Sequence, residues 1–315
     1  MFRIRNIIRG YYKSSAARRS NVGAGASHLD CTTAILAFVA IAYALSIALS
    51  LIVGVTGGHE SALIGLAYVS MLLPAVSVLI VSSVMNEAPR VRWDRFPLRY
   101  LPAALFLIPG VLHAVMLPLM AAVEGPLQWQ DWLTPLADGL YHTPASRGWG
   151  ALTIQGLVGH IALNAVAGLA IVSFLAFFEE IGWRAWLLPR LADRMGARRA
   201  VVVTAIIRAL WHVPFQLSGI QHIDGVSPTT LAYTLPLGIM AAGLILGWLW
   251  LRTESIWLVA VAHGALNNWG QYAFKYMKDT PTVGTDLAVL GAGFLALFVV
   301  GSFLLWRADG KQVLF

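Results

Sequence analysis

Apolar stretches of bilayer-spanning length recur along this chain, separated by short polar or basic segments. A hydrocarbon core takes ~20 mostly apolar residues per helix. The pattern predicts eight spans, over 32–53, 61–85, 98–123, 151–188, 200–217, 229–251, 256–274 and 285–306. The expected class is therefore all-α, a polytopic membrane protein. The fourth stretch is too long for one span, at ~57 Å if it were a continuous helix. Residues 151 to about 165 are expected to bend outward or lie at the interface, with Gly156 and Gly159 as break points.

Composition agrees with this pattern. Of 315 residues, 58% are apolar and 12% charged, about half the ~25% charged content of soluble domains. Mean hydropathy is +0.71. The lone cysteine, Cys31, excludes an intrachain disulfide framework and a cysteine-cluster metal site. The net charge of +7 could suggest nucleic acid, but the positions of the charges argue for topology instead. With the N-terminus inside, the arm and the inner connections hold 18 of the 22 Lys and Arg. Arg147, Lys275 and Lys278 fall outside, and Arg208 falls within a span. The split follows the positive-inside rule. It predicts cytoplasmic termini, a multi-pass protein of the plasma (inner) membrane, membrane lipid as a partner and no need for nucleic acid. Residues before 32 read as a basic cytoplasmic arm, not a signal peptide. Trp129, Trp132, Tyr141 and Trp149, in the outer segment 124–150, read as headgroup-level aromatics.

Ionisable residues inside a span mark candidate sites, because lipid does not solvate them. Three clusters qualify: Glu179-Glu180-Ile181-Gly182-Trp183-Arg184, Arg208-Ala209-Leu210-Trp211-His212, and His263-Gly264-Ala265-Leu266-Asn267-Asn268. Glu180 and Arg184, at i and i+4, can pair on one helix face. Glu179 lies about 100° round the helix and is less easily neutralised by that arginine. It is the candidate general base in a dehydrated cavity. The opposing reading places both carboxylates at the interface with solvated heads. With a helix end at Leu188, Glu179 would lie ~14 Å deep, close to the ~16 Å of His212 and the ~10 Å of His263. His263 and Asn267 are also i and i+4, and both side chains can donate to a developing oxyanion. The same spacing at His160 and Asn164 has no glutamate at its depth and reads as contact between helices. No His-Glu-x-x-His motif, phosphate-binding loop or Gly-x-Ser-x-Gly elbow is present.

These residues resemble a known family. Glu179-Glu180-x-x-x-Arg184, with Trp183 before the arginine and Leu187 after it, is similar to the first motif of the CPBP family of intramembrane proteases. That family includes the CAAX prenyl endoproteases and the bacteriocin-processing and immunity proteins. Ala209-Leu210-Trp211-His212-Val213-Pro214 resembles its second motif. Gly247-Trp248-Leu249-x-x-Arg252-Thr253-x-Ser255-Ile256-Trp257, continuing to Ala262-His263-x-x-x-Asn267-Asn268, resembles its third. The resemblance covers roughly 165–270. It implies that Glu179 activates the attacking water, that His212 helps position that water, and that His263 and Asn267 form the oxyanion site. It implies a supporting role for Glu180 and Arg184. Both metal-dependent and glutamate-dependent mechanisms have been described for the family. Glu179, His212 and His263 could in principle hold zinc. A metal-free site is favoured, because no tight ligand motif organises the three.

One position departs from the family pattern. An aromatic residue usually lies four before the second-motif histidine, where this chain has Arg208. A guanidinium in the membrane requires a partner. Pairing with Glu179 would favour its ionised form and weaken it as a base. Capture of a substrate carboxylate is the other expected use.

The expected organisation is a basic arm at 1–31, three helices and an outer loop at 32–150, an intramembrane peptidase core at 151–273, and a last helix with the C-terminus at 274–315. The expected function is hydrolysis of membrane-anchored or lipidated peptides near the cytoplasmic face. A non-catalytic scaffold or immunity protein, and a proton-coupled transporter, are the competing readings.

Overall fold

The structure, a computed structural model, describes residues 31–85, 91, 93–124, 135, 138–141, 152–223, 226–270 and 283–307. The basic arm before residue 31, Arg147, Lys275, Lys278, and Trp129, Trp132 and Trp149 lie outside the described residues. Tyr141 pairs with Leu152 in an isolated antiparallel bridge; among the described residues no strand forms.

The chain runs through α1 (Cys31–Gly54), a short α2 (Leu66–Ser70), α3 (Leu73–Met85) and α4 (Leu101–Glu124). Next come α5 (Ile154–Met195), α6 (Ala197–Trp211), a short α7 (Val213–Leu217), α8 (Pro228–Thr253), α9 (Ile256–Trp269) and α10 (Val283–Arg307). Among the described residues, seven helices are long and apolar enough to cross a membrane. With the sequence pattern they define an all-α, multi-pass membrane protein. The expected span at 256–274 corresponds to α9, whose 14 residues reach ~21 Å; residues 271–274 lie outside the described residues.

The long fourth stretch differs from expectation. Gly156 and Gly159 do not break it: both sit inside regular α-helix over Ile154–Leu163. The helix continues for 42 residues to Met195 and does not end at Leu188. Two wider, π-helical turns, at Asn164–Gly168 and Ile181–Leu187, interrupt its regular winding. Proline in a helix clashes with the carbonyl four residues back. For Pro189 that carbonyl belongs to Ala185, inside the second wide turn, so the helix passes the proline without stopping.

The wide turns also serve packing. A π-turn shifts the hydrogen-bond ladder and releases backbone carbonyls. The carbonyl of Asn164 accepts from Asn268 Nδ2 at 3.0 Å, and that of Ala165 accepts from Trp269 Nε1 at 3.2 Å. Both donors belong to α9, so α5 and α9 are fastened near one end by side-chain to backbone bonds. Asn164 also donates to the His160 ring at 3.0 Å. That histidine–asparagine side-chain bond lies within α5, and it is the Asn164 backbone carbonyl that reaches α9.

Small residues set the remaining close approaches, as is common between membrane helices. A Cβ on Gly247 would overlap Val201, and one on Gly243 would fall 2.9 Å from the Ala205 Cβ, so α8 lies tight on α6. A Cβ on Gly264 would collide with Ser173, including its Cα at 2.7 Å and its backbone nitrogen at 2.8 Å. Gly264→Ala is therefore expected to lower stability by about 1–3 kcal/mol, as overpacking does. Thermal melting in detergent checks this; an unchanged midpoint would mean that α9 has room to move off α5.

Candidate active site

Each charged cluster is carried by a different helix, and local features aim each one inward. Glu179 and Glu180 end the α-helical stretch Leu169–Glu180 of α5, and Arg184 lies within its second wide turn. Arg208 is in the last turn of α6. Two bonds to α1 fix the rotation of α6: Tyr43 Oη donates to the Ile207 carbonyl at 2.7 Å, and Trp211 Nε1 donates to the Ala42 carbonyl at 3.0 Å.

His212 sits where α6 gives way to α7. Pro214 has no amide hydrogen to continue the ladder. The His212 amide bonds the Ala209 carbonyl at 3.2 Å, which leaves the Arg208 carbonyl to accept from the ring's own Nδ1 at 2.9 Å. A carbonyl can only accept, so Nδ1 carries the proton.

α9 starts from a well-tied corner. Glu254 adopts a left-handed conformation, with φ 48°. Ser255 caps the helix by accepting from Leu258 N at 3.3 Å. Its hydroxyl donates to the Arg95 carbonyl at 2.5 Å, and Trp257 Nε1 donates to the Trp93 carbonyl at 3.2 Å. The polar residues of the third sequence motif thus anchor the helix that delivers His263.

The ionisable groups meet in the interior. Glu179 exposes 3% of its surface, Glu180 0%, Arg184 1%, Arg208 2% and His263 1%. The reading of solvated interfacial carboxylates does not survive those values. Arg184 Nη1 lies 3.1 Å from Glu180 Oε2, and its Nη2 donates to the Gly243 carbonyl of α8 at 3.4 Å. His263 Nδ1 donates to Glu180 Oε1 at 2.8 Å. Arg208 Nη2 donates to His263 Nε2 at 2.7 Å. Arg208 Nε stands 3.4 Å from Glu179 Oε2, and that oxygen is 4.0 Å from His263 Nε2.

The arrangement divides the two carboxylates. Glu180 is held by both Arg184 and His263. Glu179 Oε2 has an ionic neighbour in Arg208 but no hydrogen-bond partner, and neither Nε nor Nη1 of Arg208 has one. Buried polar groups without a hydrogen-bond partner are uncommon in folded proteins.

His263 differs from the expected oxyanion donor. A guanidinium only donates, so Nε2 of this ring is an acceptor and its one proton is on Nδ1, toward Glu180. Asn267, one turn further along α9, is exposed, whereas Asn268 is buried. Sequence reasoning gave no role to Asn268, Gly243 or Gly264. Asn268 was visible only as part of a motif, and the glycines had no chemical signal.

The same geometry bears on zinc. A site built from Glu179, His212 and His263 needs a free lone pair on each ring. In His263 one nitrogen faces Glu180 and the other faces a cation. Among the described residues, no three His, Cys, Asp or Glu side chains are grouped to hold a metal. In this arrangement the Arg208 guanidinium takes the His263 Nε2 lone pair that a zinc ion would need.

A multi-pass helical bundle with two carboxylates, two guanidiniums and two imidazoles converging in its interior belongs to the class of membrane proteins with a buried polar site. Comparison with known proteins narrows that class. Residues 161–269 match the family described as Type II CAAX prenyl endopeptidase Rce1-like. The CAAX prenyl protease 2 of Methanococcus maripaludis is 26% identical over 132 residues, which cover 41% of this chain and 49% of that relative. The matched region thus spans about half the length of the curated relative. Over this region the chain is similar to that family of endopeptidases.

Proposed function

We propose that the protein is an intramembrane endopeptidase that cleaves membrane-anchored or lipidated peptides by attack of a glutamate-activated water. The observation that carries this reading is the division of labour between the glutamates. Glu180 Oε1 accepts hydrogen bonds from both Arg184 and His263, while Glu179 Oε2 has the Arg208 guanidinium as an ionic neighbour at 3.4 Å and accepts no hydrogen bond. A base must have a free lone pair within reach of the water it deprotonates. His212 Nδ1 is committed to a backbone carbonyl, which leaves the far edge of the ring to orient that water. The family match and the name of the archaeal relative support a peptidase, and a prenylated peptide is the first substrate to test. The charge asymmetry of the sequence supports a site reached from the cytoplasmic side of the inner membrane.

The reaction is metal-free in this proposal, in keeping with the engagement of both His263 nitrogens. Purified protein in detergent, incubated with farnesylated CAAX-type peptides, is expected to release the C-terminal fragment at the same rate with and without a zinc chelator. Loss of cleavage on chelation, with recovery on added zinc, would replace this mechanism with a metal-dependent one. Absence of cleavage across lipidated and unlipidated peptides would favour the scaffold reading.

A further inference from the structure

Arg208 is a buried cation at the reacting centre, in the place where the family pattern has an aromatic. It does three things at once. Nη2 donates to His263 Nε2 at 2.7 Å, Nε lies 3.4 Å from Glu179 Oε2, and Nη1 has no hydrogen-bond partner. The first contact determines what His263 can do: its Nε2 lone pair is filled by the guanidinium, so that edge of the ring cannot donate to a developing anion. The third feature is the consequential one. A guanidinium N–H that is fully desolvated and unpaired is a poor resting arrangement, because an orphaned buried donor is destabilising. It becomes a favourable one as soon as negative charge forms beside it.

Charge balance points the same way. Glu179 and Glu180 bring two negative charges, Arg184 and Arg208 bring two positive ones, and a neutral His263 adds none. With an aromatic at 208, the same pair of carboxylates would face one arginine, and a protonated His263 could make up the difference and donate from Nε2. Here the permanent charge of Arg208 fills that place.

We propose that Arg208, through Nη1, is the oxyanion-stabilising residue of this enzyme, and that His263 is a positioning residue that holds the guanidinium in place. This inference rests on the peptidase reading above. In the addition step, ionised Glu179 takes a proton from water, the hydroxide oxygen bonds to the scissile carbonyl carbon, and the carbonyl π pair moves onto oxygen as the oxyanion received by Nη1. In the collapse step that pair re-forms the carbonyl, the C–N bond breaks, and the proton held by Glu179 passes to the leaving amine. Glu179 is regenerated, and the products are a carboxylic acid and an amine. A fixed donor aimed at charge that exists only in the transition state acts on turnover more than on ground-state binding.

The test compares wild type with Arg208→Gln and Arg208→Lys, using the full chain in detergent with farnesylated CAAX-type peptides, free and amidated at the C-terminus. Arg208→Gln is expected to lower kcat by about 10²–10³, the usual effect of losing one oxyanion donor, with KM within about threefold. Arg208→Lys, which restores the charge without the fork, is expected to recover part of that loss. A second arm does not depend on turnover: binding of a peptide phosphonamidate, a stable tetrahedral anion. Its affinity relative to the parent peptide is expected to fall by a similar factor in Arg208→Gln. If kcat is unchanged in Arg208→Gln, the assignment is wrong. If only KM rises, and only for peptides with a free C-terminus, Arg208 is a carboxylate clamp and the assignment is equally wrong. If wild type cleaves nothing but binds the phosphonamidate in an Arg208-dependent way, the peptidase reading fails and the anion site stands. Wild type binding the phosphonamidate no better than the parent peptide would overturn the anion site itself.

Discussion

Glu179→Gln is expected to remain folded in detergent and to lose peptide cleavage by about 10²–10⁴, the range assigned to a positioned general base. The substitution keeps the shape of the side chain and an oxygen that can accept from Arg208. It removes only the capacity to take a proton. The comparison with Glu180→Gln is informative, because that carboxylate already has two partners, Arg184 Nη1 at 3.1 Å and His263 Nδ1 at 2.8 Å. Glu180→Gln is expected to alter both stability and activity, since it disturbs the scaffold that orients His263. Glu179→Gln is expected to alter activity with a far smaller change in the melting midpoint. Turnover near wild type in Glu179→Gln would remove this residue from the chemical step.

The largest expected effect on stability follows from Arg184→Ala. Its guanidinium is 1% exposed, bridges Glu180 within α5, and reaches across to the Gly243 carbonyl of α8. Removing one partner of a buried pair leaves the other charge without compensation, at a typical cost of 3–5 kcal/mol. Here the loss falls on Glu180, which is 0% exposed and keeps only His263 as donor. The α5–α8 contact loses its polar tie at the same time. Denaturant or thermal unfolding in a fixed detergent measures the effect. A loss below about 1 kcal/mol would place the pair in the range of a solvent-screened surface bridge, contrary to its burial.

Much of the architecture was legible before any tertiary information. Backbone polar groups in lipid must be satisfied within the segment, so long apolar runs had to be helices, and hydropathy alone located them. The Glu180–Arg184 pair was equally legible, since partners four residues apart meet on any helix and the wide turn at Ile181–Leu187 did not separate them. The course of the long fourth stretch was not. Its sequence offered Gly156 and Gly159 as breaks and Leu188 as an end, yet it winds on through two π-turns. A π-turn has no hydropathy signature, because it changes the hydrogen-bond ladder and not the side chains.

The sequence by itself determined which residues could do chemistry and which neighbours along a helix they could reach. Only the tertiary structure decided what each one faces. His160–Asn164 and His263–Asn267 carry the same spacing, but the first pair bonds to each other within α5, while His263 lies between Glu180 and Arg208. That difference depends on how closely helices far apart in the chain approach, set by Gly243, Gly247 and Gly264. Those glycines offer no charge or periodicity to read. The sharing of Arg208 between Glu179 and His263 has the same origin. A buried guanidinium takes whichever acceptors the packing brings within reach, and its partners here come from two other helices.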